Sequence, residues 1–212
     1  ILVANTYQKN IQFFSFGCLL VAGYQVFFLT ERVFVGLLVL AAITGLYALP
    51  VLPKNKNFRS FSGLKILIVA AVWAGTTVIL PVISQLDVIS WNVKIETVQR
   101  FLFVLILLVP FEIRDLKYDS ASLKTLPQRV GVKGAKRIGY CWTVLFYAIT
   151  FLKTDLDITH IMVKTILFVV LMLMIFKTEL NQKKYFSSFW VEAIPLLWWV
   201  LFVISIKYSI LH

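Results

Sequence analysis

The chain has 212 residues, of which 60% are hydrophobic and 15% are charged, and its mean hydropathy is +0.87. Typical soluble domains are about 45–50% apolar and about 25% charged, so the composition argues against a soluble globular domain and excludes disordered, collagen-like and disulfide-rich chains. The net charge of +11 is typical of membrane topology signals and does not by itself indicate nucleic-acid binding. We therefore predict an all-α fold, a polytopic membrane helical bundle.

Seven apolar segments follow one another along the chain. A membrane helix needs about 20 apolar residues to cross about 30 Å of hydrocarbon. At about 20 residues each, seven such helices would account for about 140 of the 212 residues. No internal repeat or linker interrupts them, which predicts a single domain over residues 1–212. The predicted spans are residues 11–29, 33–52, 66–86, 98–113, 138–152, 158–176 and 189–210.

Basic residues divide unequally between the two sides of this bundle. Fifteen Lys and Arg residues fall on one side and six on the other. The six are Arg32, Lys94, Arg100, Lys153, Lys164 and Lys207. Because positive loops stay in the cytoplasm, we predict that the chain begins on the cytoplasmic side and ends outside.

The most informative polar stretch lies where the fourth span ends. Asp115 and Asp119 are four residues apart, and Glu112 precedes them by one turn, so a continued helix would place all three on one face. Like charges at this spacing repel unless a cation lies between them, and Mg²⁺ suits because it binds carboxylate and phosphate oxygens. The alternative is a solvated loop start in which Asp119 pairs with Lys117 or Lys124.

Basic residues follow this acidic pair directly. Lys124 and Arg129 lie in the next turn, and the loop before the third span adds Lys54, Lys56, Arg59 and Lys65 on the same predicted side. Such residues could hold the oxygens of a phosphate group. The alternative for each of them is a role in topology and lipid headgroup contact.

Residues 112–131, EIRDLKYDSASLKTLPQRVG, resemble the second aspartate-rich motif of the UbiA-type intramembrane prenyltransferases. The version in this chain is nearest to the branch that acts on dihydroxynaphthoate in menaquinone synthesis. The resemblance implies that Asp115 and Asp119 are catalytic and bind the Mg²⁺ cofactor that bridges a prenyl diphosphate. It also implies that Arg114 and Lys124 contact the diphosphate.

Residues 45–75 carry a second and looser resemblance, to a helix and loop that line the diphosphate pocket in this family. The candidates there are Tyr47, Lys54, Arg59 and Lys65. The family has nine helices and a first motif of the form Asn-x-x-x-Asp-x-x-x-Asp after the second helix. The seven spans of this chain match the region beyond that motif, so the resemblance implies an N-terminally incomplete domain, with the activity of this chain alone left open.

The function implied by the resemblance is Mg²⁺-dependent transfer of a polyprenyl group from its diphosphate to an aromatic quinone precursor or a related lipid acceptor. The implied location is a bacterial inner membrane, with the aspartate-rich loop in the cytoplasm, membrane lipid as a partner and no nucleic acid. One alternative is a non-catalytic relative that binds lipid or isoprenoid. A transporter or channel is a third hypothesis, which predicts ionisable residues paired across helices at mid-membrane; Glu112 and Glu192 both lie near the cytoplasmic edge instead.

Overall fold

A computed structural model describes residues 8–48, 63–86, 88–120, 123–183 and 185–211, without the side chains of residues 46–48 and 206–211. This part of the chain contains seven helices and no strand, which confirms the all-α class. Each helix overlaps one of the predicted spans. The helices are α1 (Gln8–Val26), α2 (Glu31–Ala48), α3 (Leu64–Gln85), α4 (Trp91–Asp115), α5 (Leu126–Ala148), α6 (Ile158–Lys177) and α7 (Ile194–Leu211).

Three stretches of the described residues are long and apolar enough to cross a membrane, namely Leu64–Gln85, Ile158–Lys177 and Phe186–Ser205. The prediction of seven spans is therefore not confirmed. Helix α4 carries charged residues along its length, among them Lys94, Glu96 and Glu112, which explains its lower hydropathy. The outer surface supports membrane association, because large apolar side chains such as Phe13 and Phe176 are 82% and 69% exposed.

Helix α4 lies at the centre of the bundle. Residues 102–106 of α4 are all buried, so every side of the helix is covered there. α3, α5 and α6 pack around it. Trp198 of α7 completes the core, with its ring centroid 4.7 Å from that of Phe103 and 5.9 Å from that of Phe146. Edge-on arrangements of this kind suit the charge distribution of aromatic rings.

Two glycines permit local departures from regular packing. A Cβ atom on Gly75 would lie 2.8 Å from Cδ2 of Leu40, so the glycine lets α2 approach α3 closely at a π-helical turn, Gly75–Ile79. Gly131 interrupts α5 with φ 71° and ψ 168°, a conformation that L-residues with a side chain rarely adopt. This interruption lies just over one turn after the start of α5, at the last residue of the predicted motif.

The two ends of α4 lie at opposite ends of the bundle, about 36 Å apart for a straight helix of this length. We call the end at Asp115 the motif end; it comprises residues 63–66, 112–120, 123–129, 178–183 and 185–188. At the other end, the indole N–H of Trp91 donates to the carbonyl of Leu152 at 2.8 Å. Asn92 also donates to the carboxylate of Asp155 at 2.6 Å, so the connection between α5 and α6 is held against the start of α4.

The structure places five of the six basic residues assigned to the outer side within helices, and two of these five, Arg100 and Lys164, lie against the buried ring of Trp198. Arg100 lies in α4 and Lys164 in α6, and the side chain of Lys164 is 7% exposed. Lys164 pairs with Glu96 across the interface between these helices. The expectation that ionisable residues in the spans gather near the cytoplasmic edge was therefore incomplete.

Candidate functional site at the motif end

The acidic motif lies where α4 ends. Asp115 is the last residue of the helix, and its carbonyl accepts from the backbone N–H of Tyr118 at 2.8 Å and of Asp119 at 2.9 Å. The chain thus makes one further turn before it leaves the helix axis. Asp115 and Asp119 are one turn apart, as their spacing predicts, but their carboxylates have different surroundings.

The Asp115 carboxylate is paired with its neighbour Arg114. The Nε–H of Arg114 donates to Oδ1 of Asp115 at 2.7 Å, and Nη2 lies 3.4 Å from Oδ2. Nη1 of Arg114 also donates to the hydroxyl of Ser187 at 3.0 Å. The guanidinium therefore joins the motif to the segment before α7.

The Asp119 carboxylate lies between two cavities, and its Oδ2 atom is buried and has no hydrogen-bond partner within the described part of the chain. A buried carboxylate oxygen without a donor is costly, so it points to a missing cation or donor. The small cavity, about 30 Å³, is lined by Gly63, Lys65, Ile66, Glu112, Asp119, Leu123 and Thr125. The open cleft, about 530 Å³, is lined by Leu116, Asp119, Lys124, Pro127, Gln128 and Arg129.

An ion pair forms one wall of the small cavity. The ammonium of Lys65, at the start of α3, lies 3.1 Å from Oε1 of Glu112 in the last turns of α4. The Glu112 side chain is 7% exposed and that of Lys65 is 43% exposed. Lys65 was predicted from sequence as a diphosphate ligand, and the structure adds that it neutralises a buried carboxylate.

The open cleft carries the basic residues of the motif. Lys124 has φ 47°, a left-handed conformation that is unusual for a residue with a side chain and that often marks functional segments. Arg129 follows in the first turn of α5. Asp119, Lys124 and Arg129 thus place a carboxylate and two cations around one space that is open to solvent.

Gln128 fixes this arrangement, and the sequence interpretation had missed it. Its Oε1 accepts from the backbone N–H of Thr125 at 2.9 Å, while Nε2 donates to the carbonyl of Ser120 at 3.1 Å. The side chain therefore spans the loop from the acidic pair to α5. The spacing of Thr125 and Gln128, typical of a helix capping box, is the signal that could have identified it.

The remaining predicted residues are distributed as follows. Lys54, Arg59 and the side chain of Tyr47 lie outside the described residues. Lys117, the alternative partner of Asp119, contacts Oδ1 of Asn181 in the segment after α6. The motif end thus gathers Lys65, Arg114, Asp115, Asp119 and Lys124 from the predicted set.

Among the described residues, no group of three or more His, Cys, Asp or Glu side chains is arranged to hold a metal ion. The fit of Mg²⁺ therefore depends on Asp119, whose Oδ2 is uncommitted, while Asp115 is paired with Arg114 and Glu112 with Lys65. Mg²⁺ commonly takes one or two protein carboxylates and completes its shell with water and substrate phosphate. The donor set is compatible with that mode of binding.

The chain matches no model of a known protein family, and searches of curated proteins and of solved structures find no match.

Proposed function

We propose that the protein is an integral membrane prenyltransferase, which transfers a polyprenyl group from its diphosphate to an aromatic quinone precursor or a related lipid acceptor. The observation that carries the proposal is the Oδ2 atom of Asp119, which has no partner among the residues that the structure describes and lies beside a cleft lined by Lys124 and Arg129. A prenyl diphosphate presents a strongly anionic head and an apolar tail. The motif end offers groups for the head, and the exposed apolar helices suit a tail in lipid.

The residues have distinct roles in this proposal. Asp119 contributes a carboxylate oxygen to Mg²⁺, with Asp115 as the second acid of the motif, and Lys124 and Arg114 contact the diphosphate. Tyr47, Lys54 and Arg59 belong to the same predicted set. When bound, Mg²⁺ would offset the charge of the diphosphate and so assist its departure.

In this proposal, other residues of the motif end hold the groups that bind the departing diphosphate in position. Gln128 holds the Asp119 loop against α5 through Ser120 and Thr125. The Lys65–Glu112 pair keeps a buried carboxylate neutralised beside the small cavity. Pre-positioned groups of this kind lower the cost of ordering the site when substrate binds.

The experiment compares Mg²⁺-dependent prenyl transfer in membranes that contain the product of the complete reading frame. Asp119→Asn should reduce turnover at least about 100-fold, as expected when a group that stabilises charge in the transition state is removed. Asp115→Asn should also reduce turnover. Glu179→Gln, at an exposed acid of the same end, is the matched control and should retain activity.

Membrane insertion of each variant is measured in parallel, so that loss of turnover is not confused with loss of the protein. Unchanged turnover in both aspartate variants would refute the site. If the unsubstituted protein binds polyprenyl diphosphate but never transfers it, the enzymatic proposal is wrong.

The second candidate is a non-catalytic relative that binds lipid or isoprenoid. The pairing of Asp115 with Arg114 at 2.7 Å favours it, because that contact leaves one acid of the motif uncommitted. This candidate predicts that diphosphate binding survives without Mg²⁺ and that no prenyl product forms.

A further inference from the structure

A second cluster of charged residues lies at the opposite end of α4 from the motif. Glu96 and Arg100 come from α4, Lys164 from α6, Lys153 from the connection before α6, and Trp198 from α7. We call these five residues the Glu96 cluster. Glu96 is five residues after the first residue of α4, about 8 Å along the helix. The cluster therefore lies inside the bundle but near one of its ends.

Glu96 is the acceptor for two of the cations. Its Oε1 lies 3.2 Å from the ammonium of Lys164, and its Oε2 contacts the ammonium of Lys153. These contacts join α4 to α6 and to the preceding connection. A purely structural role would account for this part of the cluster.

Arg100 is not explained by those ion pairs. Its guanidinium carbon lies 3.9 Å from the centre of the Trp198 ring, and the Lys164 ammonium lies 4.1 Å from the same centre. Trp198 is 5% exposed, so both cations lie against a buried ring. The Nε–H of Arg100 is buried and has no hydrogen-bond partner among the described residues.

The charges in the cluster do not balance. Among the described residues, the cations Arg100, Lys153 and Lys164 interact with one carboxylate, that of Glu96, which leaves a formal excess of two positive charges. Buried cations of like sign repel, and removal from water adds a further cost. An anion that carries one or two negative charges and accepts from Arg100 would remove both penalties.

We propose that the Glu96 cluster binds a phosphate group, from either a phospholipid headgroup or free phosphate. A guanidinium presents parallel donors that match phosphate oxygens, and a neighbouring ammonium adds charge without demanding a fixed direction. The side chains of Glu96 and Arg100 are half-buried, so part of each remains exposed to a ligand. This site is separate from the motif end and does not depend on prenyl transfer.

The surroundings make a headgroup a suitable source of phosphate. Trp91 is 54% exposed at the start of α4, and Ile158 is 64% exposed at the start of α6. Tryptophan near a helix end is typical of the membrane interface, where lipid phosphates lie. A phosphate held by Arg100 would thus have apolar protein surface beside it for its acyl chains.

The test uses the 212-residue chain in detergent micelles and in lipid nanodiscs. Binding of ³²P-orthophosphate is measured by equilibrium dialysis in micelles. Retention of phosphatidylglycerol, against a neutral galactolipid that lacks phosphate, is measured by native mass spectrometry after release from nanodiscs. Binding of orthophosphate in the dialysis assay identifies free phosphate as a ligand. Retention of phosphatidylglycerol over the galactolipid, without binding of orthophosphate, identifies the lipid headgroup as the ligand.

Arg100→Gln should lower the affinity for the phosphate ligand, whether orthophosphate or phosphatidylglycerol, at least about tenfold. A loss of this size corresponds to the removal of one hydrogen-bonded ionic contact. Lys94→Gln is the matched control, since it removes an exposed cation from the same helix and should change binding less than twofold. Arg100→Lys keeps the charge but loses the parallel donors, and should weaken binding to an intermediate degree. It also serves as the deciding variant if Arg100→Gln does not fold.

Two results would overturn the proposal. One is that the unsubstituted chain binds neither orthophosphate nor phosphatidylglycerol in preference to the galactolipid. The other is that Arg100→Gln and Lys94→Gln weaken binding equally, which would mean that general surface charge attracts the anion.

Discussion

The ion pair between Lys65 and Glu112 gives a quantitative test of how the motif end is built. At 3.1 Å, two unit charges attract by about 5 kcal/mol at an effective dielectric constant near 20. Solvent screening reduces this figure greatly, because Lys65 is 43% exposed. We expect a net coupling free energy between Lys65 and Glu112 of about 1.5 kcal/mol. This value lies above the range for solvent-exposed ion pairs, about 0–1 kcal/mol, and at the lower limit for hydrogen bonds to charged groups, about 1.5–3 kcal/mol.

The two single substitutions should differ in cost. Lys65→Met leaves the buried carboxylate of Glu112 without a partner, which should destabilise the protein by about 2 kcal/mol. Glu112→Gln leaves an ammonium that can turn into solvent, so its cost should be about 1 kcal/mol. The double variant should lose about 1.5 kcal/mol, half of what independent effects would give.

Unfolding of the purified chain by sodium dodecyl sulfate in mixed micelles, followed by tryptophan fluorescence, measures these free energies. Lys133→Met removes an exposed lysine from α5 and should change stability by less than about 0.5 kcal/mol. Additive costs in the double variant, or a larger cost for Glu112→Gln than for Lys65→Met, would refute the arrangement described for this pair.

Three further predictions concern packing, backbone and orientation. Phe146→Ala should cost about 3–5 kcal/mol, because the fully buried ring contacts Phe103 and Trp198, whereas Phe176→Ala at an exposed ring should be nearly neutral in the same titration. Gly131→Ala should lower the free energy of unfolding by about 1–3 kcal/mol because Gly131 has a positive φ. The control Gly17→Ala, within α1, should be neutral or stabilising by up to about 1 kcal/mol. Similar effects of the two substitutions would argue against the interruption of α5. Orientation is tested in a chain that carries Cys18→Ser and Cys141→Ser. In that chain, Tyr118→Cys should react with an impermeant maleimide added on the cytoplasmic side, and Leu156→Cys should react with maleimide added on the other side. Labelling of both positions from one side would refute the predicted orientation.

Local sequence accounts for much of the helical architecture. Each predicted apolar segment overlaps one described helix, because hydrophobic runs of about 20 residues leave the backbone few ways to satisfy its polar groups in an apolar environment. Two helices begin well before the membrane spans predicted for them. α4 begins at Trp91 and α5 at Leu126, ahead of the predicted 98 and 138, because their first turns carry charged residues and so lack a continuous apolar signal.

The acidic motif was also visible in the sequence, since the spacing of Asp115 and Asp119 is a local property. Their different environments were not. Arg114 turns towards Ser187, which is 73 residues further along the chain, and Lys65 reaches Glu112 across 47 residues. No periodicity within one helix reports such contacts.

The sequence by itself determined the helical class, the apolar character and the position of the motif, because these depend on residue type and near-neighbour spacing. The tertiary structure alone decided which charges meet. It brought Glu96 to Lys164 across 68 residues, and it placed Oδ2 of Asp119 beside a basic cleft, with no partner in the described ranges of the chain. The reason is physical: a buried charge is stabilised by whichever opposite charge packing brings within a few ångströms, and packing depends on the whole chain.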